Sequence, residues 1–349
     1  MLSLRREKLA ETGVPLGTSW LLGECMEARG RQNLWLRRKP EVLEVLREQA
    51  VIQSAESSNR IEGVTVAPDR LRPIVLGAAR PRDRSEEELA GYRQALRWVF
   101  SRKRPVTVAP QVVLHLHATA QGGASGDAGS WKSRDNEIIE LLPNGERRIR
   151  FQATPAKETP KAVQLLCDNY HELCGEESIP PLLLVATFVF DFLCIHPFRD
   201  GNGRVSRLLT TLLLEQQGFA VSRYVSLERL VEESREDYYA VLHRCSKGWH
   251  EGANETVPWW NYFLTVLKRA YRELETNVEA VSARVAKGDL VRQAVAGRVG
   301  PFSLSELRAT LPAVSVQLVK RVLGEMKKAG AVRLVGRGRG AHWEVVKKP

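Results

Sequence analysis

The run HPFRDGNGRVSR, residues 196–207, decides how this sequence is read. An apolar segment, PPLLLVATFVFDFLCI (180–195), leads into it, and VSRLLTTLLLEQQG (205–218) follows. Both flanks have the length and composition of buried helices, the second closed by Gly218. The Asp-Gly-Asn-Gly run between them is a loop that delivers the chain into a new helix. Arg204 and Arg207 then fall in the first turns of that helix, where the dipole is positive and cations are disfavoured. A Gly-rich loop before a helix N-terminus offers free N–H groups to an anion. If several phosphates sit there, the two arginines, three apart on one face, become clamps. Asp200 would repel a phosphate and makes sense with a divalent cation between them. His196 can be neutral near pH 7 and is a base candidate. One imidazole, one carboxylate, a glycine cradle and two guanidiniums within twelve residues read as a site for nucleotide phosphate transfer. The sequence holds no Walker A run, no kinase Gly-rich loop with its lysine and no dinucleotide fingerprint after a strand, so the site is of another type.

Most of the chain around this motif is helical in pattern. PEVLEVLREQAVIQSAESSNRIEG (40–63) is one long helix with Pro40 near its start and Gly63 at its end. RPRDRS (80–85) is a polar linker, and EEELAGYRQALRWVFSR (86–102) opens a second helical region. APQVVLHLHATAQGG (109–123) is a helix on which His115 and His117 face different sides, which suits packing rather than a shared metal. The period breaks at NEIIELL (136–142) and ERRIRFQA (146–153), two short β-like runs joined by the turn signal PNG. TPKAVQLLCDNYHEL (159–173) returns to helix. The Cys167, His171, Cys174 spacing lies in that helical pattern without a second ligand pair, so it reads as packing rather than zinc.

The C-terminal piece has its own pattern. KGDLVRQAVAG (287–297) is a first helix, SLSELRATL (303–311) a capped short second and SVQLVKRVLGEMKKAG (315–330) a third. AVRLVGRGRGAHWEVV (331–346) is a strand, a Gly/Arg tip and a second strand. Three helices followed by a basic hairpin is the order of a winged helix-turn-helix. The chain of 349 residues has a net charge of +11, and residues 281–349 alone hold 14 Lys/Arg against 4 Asp/Glu, a net +10. Lys320, Arg321, Lys327 and Lys328 fall on the third helix, with Arg337 and Arg339 at the tip. DNA is therefore a candidate partner of this module. No apolar run reaches membrane-spanning length without a charge, and MLSLRREKLAETG lacks a signal-like apolar segment. Five scattered cysteines suit a reduced interior, so a cytoplasmic location without membrane contact is expected.

HPFRDGNGRVSR resembles the full signature of the Fic (Fido) family, His-Pro-Phe-x-Asp/Glu-Gly-Asn-Gly-Arg-x-x-Arg, with every fixed position present. The helical surroundings, the upstream hairpin and the DYYAVL segment extend the resemblance over roughly residues 85–275. It implies a mainly α fold: a helical core with a small β-hairpin flap, to which the C-terminal winged helix domain (α+β) is added. The expected division is residues 1–84 as an N-terminal helical region, 85–275 as the core and 284–349 as the winged helix. The resemblance implies transfer of AMP from ATP to a hydroxyl of a protein target, on Ser, Thr or Tyr, the chain itself included. By that similarity His196 deprotonates the hydroxyl and Asp200 holds Mg²⁺ against the α and β phosphates. Gly201, Asn202 and Gly203 form the anion cradle, with Asn202 on the α-phosphate, Arg204 on the β-phosphate and Arg207 on the γ-phosphate. Phe198 anchors the loop, and the hairpin docks the target as an added strand. Tyr239 lines the adenine pocket. Where related sequences often carry an Asn against adenine, this one has Ser246. Members of the family are often dimers, so a homodimer is the implied assembly, although no stretch of the sequence specifies one.

A second misfit pairs with the first. In SSNRIEG (57–63), Ser58 and Glu62 are four apart on one helical face, and Glu62 stands near the helix C-terminus, where a carboxylate is disfavoured. One helix has a carboxylate at its wrong end and another has arginines at theirs. Each misfit would be eased by an ion pair between Glu62 and Arg207 that fills the γ-phosphate place when ATP is absent. The pattern also resembles the family's inhibitory helix, Ser/Thr-x-x-x-Glu-Gly/Asn, which implies that Glu62 holds the enzyme in check. Two alternatives remain, the first implied by relatives in which the inhibitory Glu positions a water and the second by the basic C-terminal module. The same site could remove AMP with Glu62 positioning water, or a DNA-binding regulator could use the core as a nucleotide sensor.

Overall fold

The computed structural model describes residues 2–346 apart from 39, 102–105, 124–125, 142–146, 177, 297, 299, 313 and 337–340. Four helices come first: α1 (Arg6–Thr12), α2 (Leu16–Arg38), α3 (Pro40–Ile61) and α4 (Pro68–Leu76). Two more, α5 (Arg84–Ser101) and α6 (Pro110–Ala120), precede an antiparallel hairpin of β1 (Glu137–Leu141) and β2 (Arg147–Gln152). Then follow α7 (Thr159–Leu173), α8 (Pro181–Ile195), α9 (Asn202–Gln216), α10 (Leu227–Glu233), α11 (Arg235–Ser246) and α12 (Val257–Ala296). The chain ends with α13 (Leu304–Ala309), α14 (Val316–Lys328) and the hairpin of β3 (Val332–Val335) and β4 (His342–Val345). The fold is mainly α.

Helix α8 is the centre of the larger unit, Met1–Glu275: every side chain from Leu182 to Ile195 is buried. That follows from a sequence apolar on all sides, which no surface helix could carry. Its one charge, Asp191, is fully buried and accepts from the backbone N–H groups of Ser3 (3.0 Å) and Leu4 (2.7 Å) and from the Trp249 indole (2.7 Å). Three donors compensate the desolvation of this carboxylate and fasten the N-terminal segment onto the core. Trp259 and Trp260 brace the same helix by donating to Ala186 O (2.6 Å) and Thr187 Oγ1 (2.9 Å), so the tryptophans of PWW are packing residues.

Helix α8 packs on α7 and α9, α6 on α5 and α9, and α3 on α5 and α10. The regions on either side of the RPRDRS segment thus belong to one compact unit. This packing brings the end of α3 beside the start of α9. The hairpin is tied to the core at its base, where the Phe151 ring stacks on His250 and His250 Nε2 donates to Gln152 O at 2.8 Å. The PNG turn lies outside the described residues.

The second unit, Thr276–Pro349, has its own core of Val291, Val295, Phe302, Leu307, Val314, Val319, Val322, Leu323 and Val332. The separate helix expected at Lys287 is instead the last part of α12, which runs unbroken to Ala296. Gly288 has no positive φ, and an interior glycine costs a helix only about 1 kcal/mol, too little to end it. Ser303 caps α13 in a reciprocal box with Glu306, and Ser315 caps α14. Phe302 bridges to Trp343, extending the β3–β4 pair by one short contact. No helix among the described residues is long and apolar enough to cross a membrane.

Candidate active site

Helix α8 ends at His196, whose backbone is left-handed (φ 51°, ψ 60°), and among the described residues it is the one non-glycine with positive φ. That conformation turns the chain out of the helix and is held by what surrounds it. Phe198, fully buried, stacks on the His117 ring (centroids 3.7 Å, planes 9° apart) and on Trp131 (5.3 Å). The Asn202 side chain closes the loop on itself: its Oδ1 accepts Phe198 N–H (2.9 Å) and its Nδ2 donates to Phe198 O (2.8 Å). Gly201 takes φ 80° at the entry to α9, where a Cβ would also stand 2.8 Å from Gln121 Nε2. Only glycine meets both conditions.

Two polar side chains outside the motif fix this loop. Lys132 is 5% exposed and donates to Ile195 O (3.2 Å) and Asn136 Oδ1 (2.7 Å), while its backbone N–H binds Pro197 O (2.9 Å). Asn136 Nδ2 adds Phe198 O at 2.9 Å. The carbonyls left open where α8 ends are thus held by one short segment. Lys132 forms no ion pair among the described residues, and burial lowers its amine to about 8. His117 Nε2 donates to Asp200 O (3.1 Å) and its Nδ1 accepts Gly129 N–H (3.0 Å). Both ring nitrogens are used by a neutral imidazole, in keeping with a pKa pushed down to about 4 by burial.

His196 Nδ1 faces Leu193 O at 3.3 Å. A carbonyl only accepts, so Nδ1 carries the proton and Nε2 keeps its lone pair. Burial lowers this imidazole to about 4, with Lys132 adding to the effect against the opposing pull of the Leu193 carbonyl, Glu62 and Asp200. It is therefore uncharged near neutral pH, with Nε2 free to accept a proton.

The two motif arginines have different surroundings. Arg204 is 2% exposed, with Nη1 2.8 Å from Glu88 and Nη2 3.3 Å from Gln121 Oε1. Arg207 is held by the α3 end: Nε donates to Ser58 Oγ (2.8 Å), and Nη2 donates to Ser58 O (3.0 Å) and Glu62 Oε1 (2.7 Å). Its Nη1 is buried without a hydrogen-bond partner. The Glu62 carboxylate lies over the loop, with Oε1 2.0 Å from where a Cβ on Gly203 would stand. Asp200 keeps a 54%-exposed side chain, with Oδ1 accepting Gly201 N–H (2.6 Å) and Oδ2 3.1 Å from Arg84.

These groups open onto a cavity of about 680 Å³ lined among others by Glu62, His196, Gly203, Arg207, Tyr239 and Ser246. Ile138, Arg150 and Phe151 of the hairpin form another wall. The size suits a small-molecule site. Arg150 hydrogen-bonds Tyr239 O and sits over the Tyr239 ring at 5.5 Å. Asp200, Asn202 and Arg204, though in the motif, do not line the cavity. Sequence reasoning missed Lys132, Asn136 and Glu88 and read His117 as packing alone. Glu88 had a visible signal, since it falls on the buried stripe with Tyr92, Ala95 and Val99. Lys132 stands in an irregular stretch and Asn136 at the edge of a β-like run, and neither carried a signal.

Residues 107–214 match the family model described as Fic/DOC family, so this chain carries a Fic domain. A Fic family protein from Desulfovibrio desulfuricans G20 superposes with a TM-score of 0.65 over 97% of this chain and 98% of that one, at 22% identity, a likeness of fold. Among curated proteins, the chain is 25% identical over 209 residues to protein adenylyltransferase Fic of Nematostella vectensis, covering 58% of this chain and 44% of that protein. It is 37% identical over 198 residues to protein adenylyltransferase fic-1 of Caenorhabditis elegans, covering 54% of this chain and 35% of that one. The chain thus spans less than half the length of these two relatives.

Proposed function

We propose that this protein transfers AMP from ATP to a hydroxyl of a protein target, itself included, and that Glu62 restrains the reaction. The observation that carries this reading is the neutral His196, its Nε2 lone pair free, on the same cavity as Gly203 and Arg207. His196 Nε2 takes the proton of the target hydroxyl as its oxygen forms a bond to the α-phosphorus. The bond from that phosphorus to the bridging oxygen of the β-phosphate breaks, and pyrophosphate leaves. Such a displacement depends on positioning and charge neutralisation. The N–H groups opening α9 receive the phosphates, and Arg207, the motif arginine that lines the cavity, is the cation available to the outermost one. Arg204 is engaged by Glu88 here, so its role on the β-phosphate requires that pair to be shared or exchanged.

The solvent-open carboxylate of Asp200 fits Mg²⁺, which commonly takes one or two carboxylates together with substrate phosphates. Asp200 would hold the ion, which supplies neutralisation of phosphate charge. Glu62 occupies the space over Gly203 and takes up Arg207, so the γ-phosphate and Glu62 compete for one place. Tyr239 and Ser246 line the end of the cavity assigned to the base.

The test uses purified wild type, Glu62→Gly and His196→Ala with Mg²⁺ and ATP labelled on the α or the γ phosphate. Protein label from the α position, strongest in Glu62→Gly and lost in His196→Ala, is the expected result. Label from the γ position alone would make the reaction kinase-like. No label from either, with AMP released from a premodified protein only when Glu62 is present, would make the protein a remover of AMP.

A further inference from the structure

The second unit contains a surface that the transferase reading does not use. Helix α14 buries Val319, Val322 and Leu323 in the core of that unit. Its opposite side carries Gln317, Lys320, Arg321, Lys327 and Lys328, all exposed, with Gly324 between them. Positions 317, 320, 321, 324 and 328 lie on one helical face. No large apolar residue of α14 is exposed. A helix built to dock on another protein presents aromatic or aliphatic anchors, and this one presents none.

The charge on the face is largely uncompensated. Glu325, the helix's single acid, is drawn to Arg292 at 3.0 Å and is only 3.6 Å from Arg321 Nε. Lys320, Lys327 and Lys328 pair with no carboxylate among the described residues. Four cations on a face about 16 Å long suit a polyanion whose phosphates recur at short, regular spacing. The flanking elements fit the same ligand. The short helix α13 and the turn capped by Ser315 precede α14, and the β3–β4 hairpin follows it. Between β3 and β4 the sequence reads GRGRG (336–340), of which residues 337–340 lie outside the described residues.

We propose that the C-terminal unit is a winged helix-turn-helix that binds duplex DNA, with α14 in the major groove. Gln317, Lys320 and Arg321, in the first two turns, face base edges, because an inserted recognition helix reads bases with its N-terminal residues. Lys327 and Lys328, at the far end, meet the phosphate backbone. Gln317 is the residue with the geometry for adenine, and Arg321 for guanine. This assignment is independent of the transferase reading and survives its failure.

The experiment measures binding of the full chain to a fluorescent random-sequence duplex of about 30 base pairs across a salt series, followed by selection from a random duplex pool. Wild type should bind with an affinity that falls linearly in log salt. The double variant Lys327→Ala, Lys328→Ala should weaken binding at least tenfold and reduce the salt slope by about 2. Lys161→Ala, an exposed lysine of the other unit, should change neither. Gln317→Ala should leave random-duplex binding near wild type and alter the sequence recovered by selection. Circular dichroism of each variant verifies that the unit stays folded. Failure of wild type to bind the duplex at low salt would overturn the proposal. So would binding that the double variant retains, which would reduce the effect to the chain's overall positive charge. Loss of self-association by the double variant, without any duplex binding, would reassign the face to a protein contact.

Discussion

The carboxylate of Glu62 and the guanidinium of Arg207 meet at 2.7 Å across 145 residues of sequence. Each comes from a helix end where its charge is unfavourable, and each relieves the other. The pair is partly buried, with side-chain exposures of 29% and 7%, so it is screened less than a surface pair. It also sits over Gly203, the place assigned to a phosphate in the proposed reaction.

Removing Glu62 should therefore release the site. A charge-assisted hydrogen bond of this kind contributes about 1.5–3 kcal/mol, which corresponds to roughly 10–100-fold in a competing equilibrium. Glu62→Gly is expected to raise α-label incorporation by that order, while Arg207 keeps both bonds to Ser58. Unchanged incorporation would remove the inhibitory role.

Gly203→Ala separates displacement of Glu62 from activation. The new Cβ would sit 2.0 Å from Glu62 Oε1, so the flexible carboxylate must move away. The same methyl fills the cradle and stands 3.2 Å from Arg207 Nη1. Activity should stay low in Gly203→Ala and in the double variant with Glu62→Gly. If the single variant proves as active as Glu62→Gly, the glycine is not a phosphate cradle.

The acid limb of the rate profile reports His196. Burial lowers its pKa from 6.5 to about 4, so the base form persists well below neutrality. In Glu62→Gly, kcat/KM should remain near its plateau at pH 6 and fall only as pH approaches 4–5. A limb centred near 6.5 would mean that the histidine is solvated during turnover.

Lys132→Met should disturb that limb without touching the nucleotide. The substitution removes the clip on Ile195 O and the cation that helps keep His196 neutral. The limb should move to higher pH and kcat should fall about tenfold or more, since misplacement by 1 Å can cost 100-fold. KM for ATP should change little, and Lys132→Arg should recover part of the loss. Equal loss in both variants with an unmoved limb would leave Lys132 a structural residue only.

Stability should fall in acid through His117. Its imidazole is 1% exposed and neutral when folded, with its pKa lowered to about 4 against 6.5 when unfolded. Between those values the unfolded chain binds more protons, so stability is complete above pH 6.5 and is lost as pH drops towards 4. The loss attributable to this ring is on the order of 1–3 kcal/mol. His117→Gln should flatten the pH dependence of Tm in that window and lower Tm at pH 7, because Gln cannot replace the ring stacked on Phe198.

Much of this was legible in one dimension. The glycines, the histidine and the helix flanks of residues 196–207 lie within a dozen positions, where local rules of helix ends and anion binding apply directly. The hairpin, the capped short helix at Ser303 and the stop at Gly63 were likewise local. Even the Glu62–Arg207 pair was approachable from sequence, because two charges at wrong helix ends each demand a partner.

Tertiary structure alone decided what depends on burial and on which surfaces meet. Arg204 stands three residues before Arg207 on the same helix, and only the packing of α5 shows that Glu88 takes it up. Lys132 became the clip behind His196 only because residues 131–136 fold back over the end of α8. The sequence specifies which groups exist and which helix ends they occupy. Which of them lose their water, and so which protonation state and partner each adopts, is set by neighbours far away in the chain.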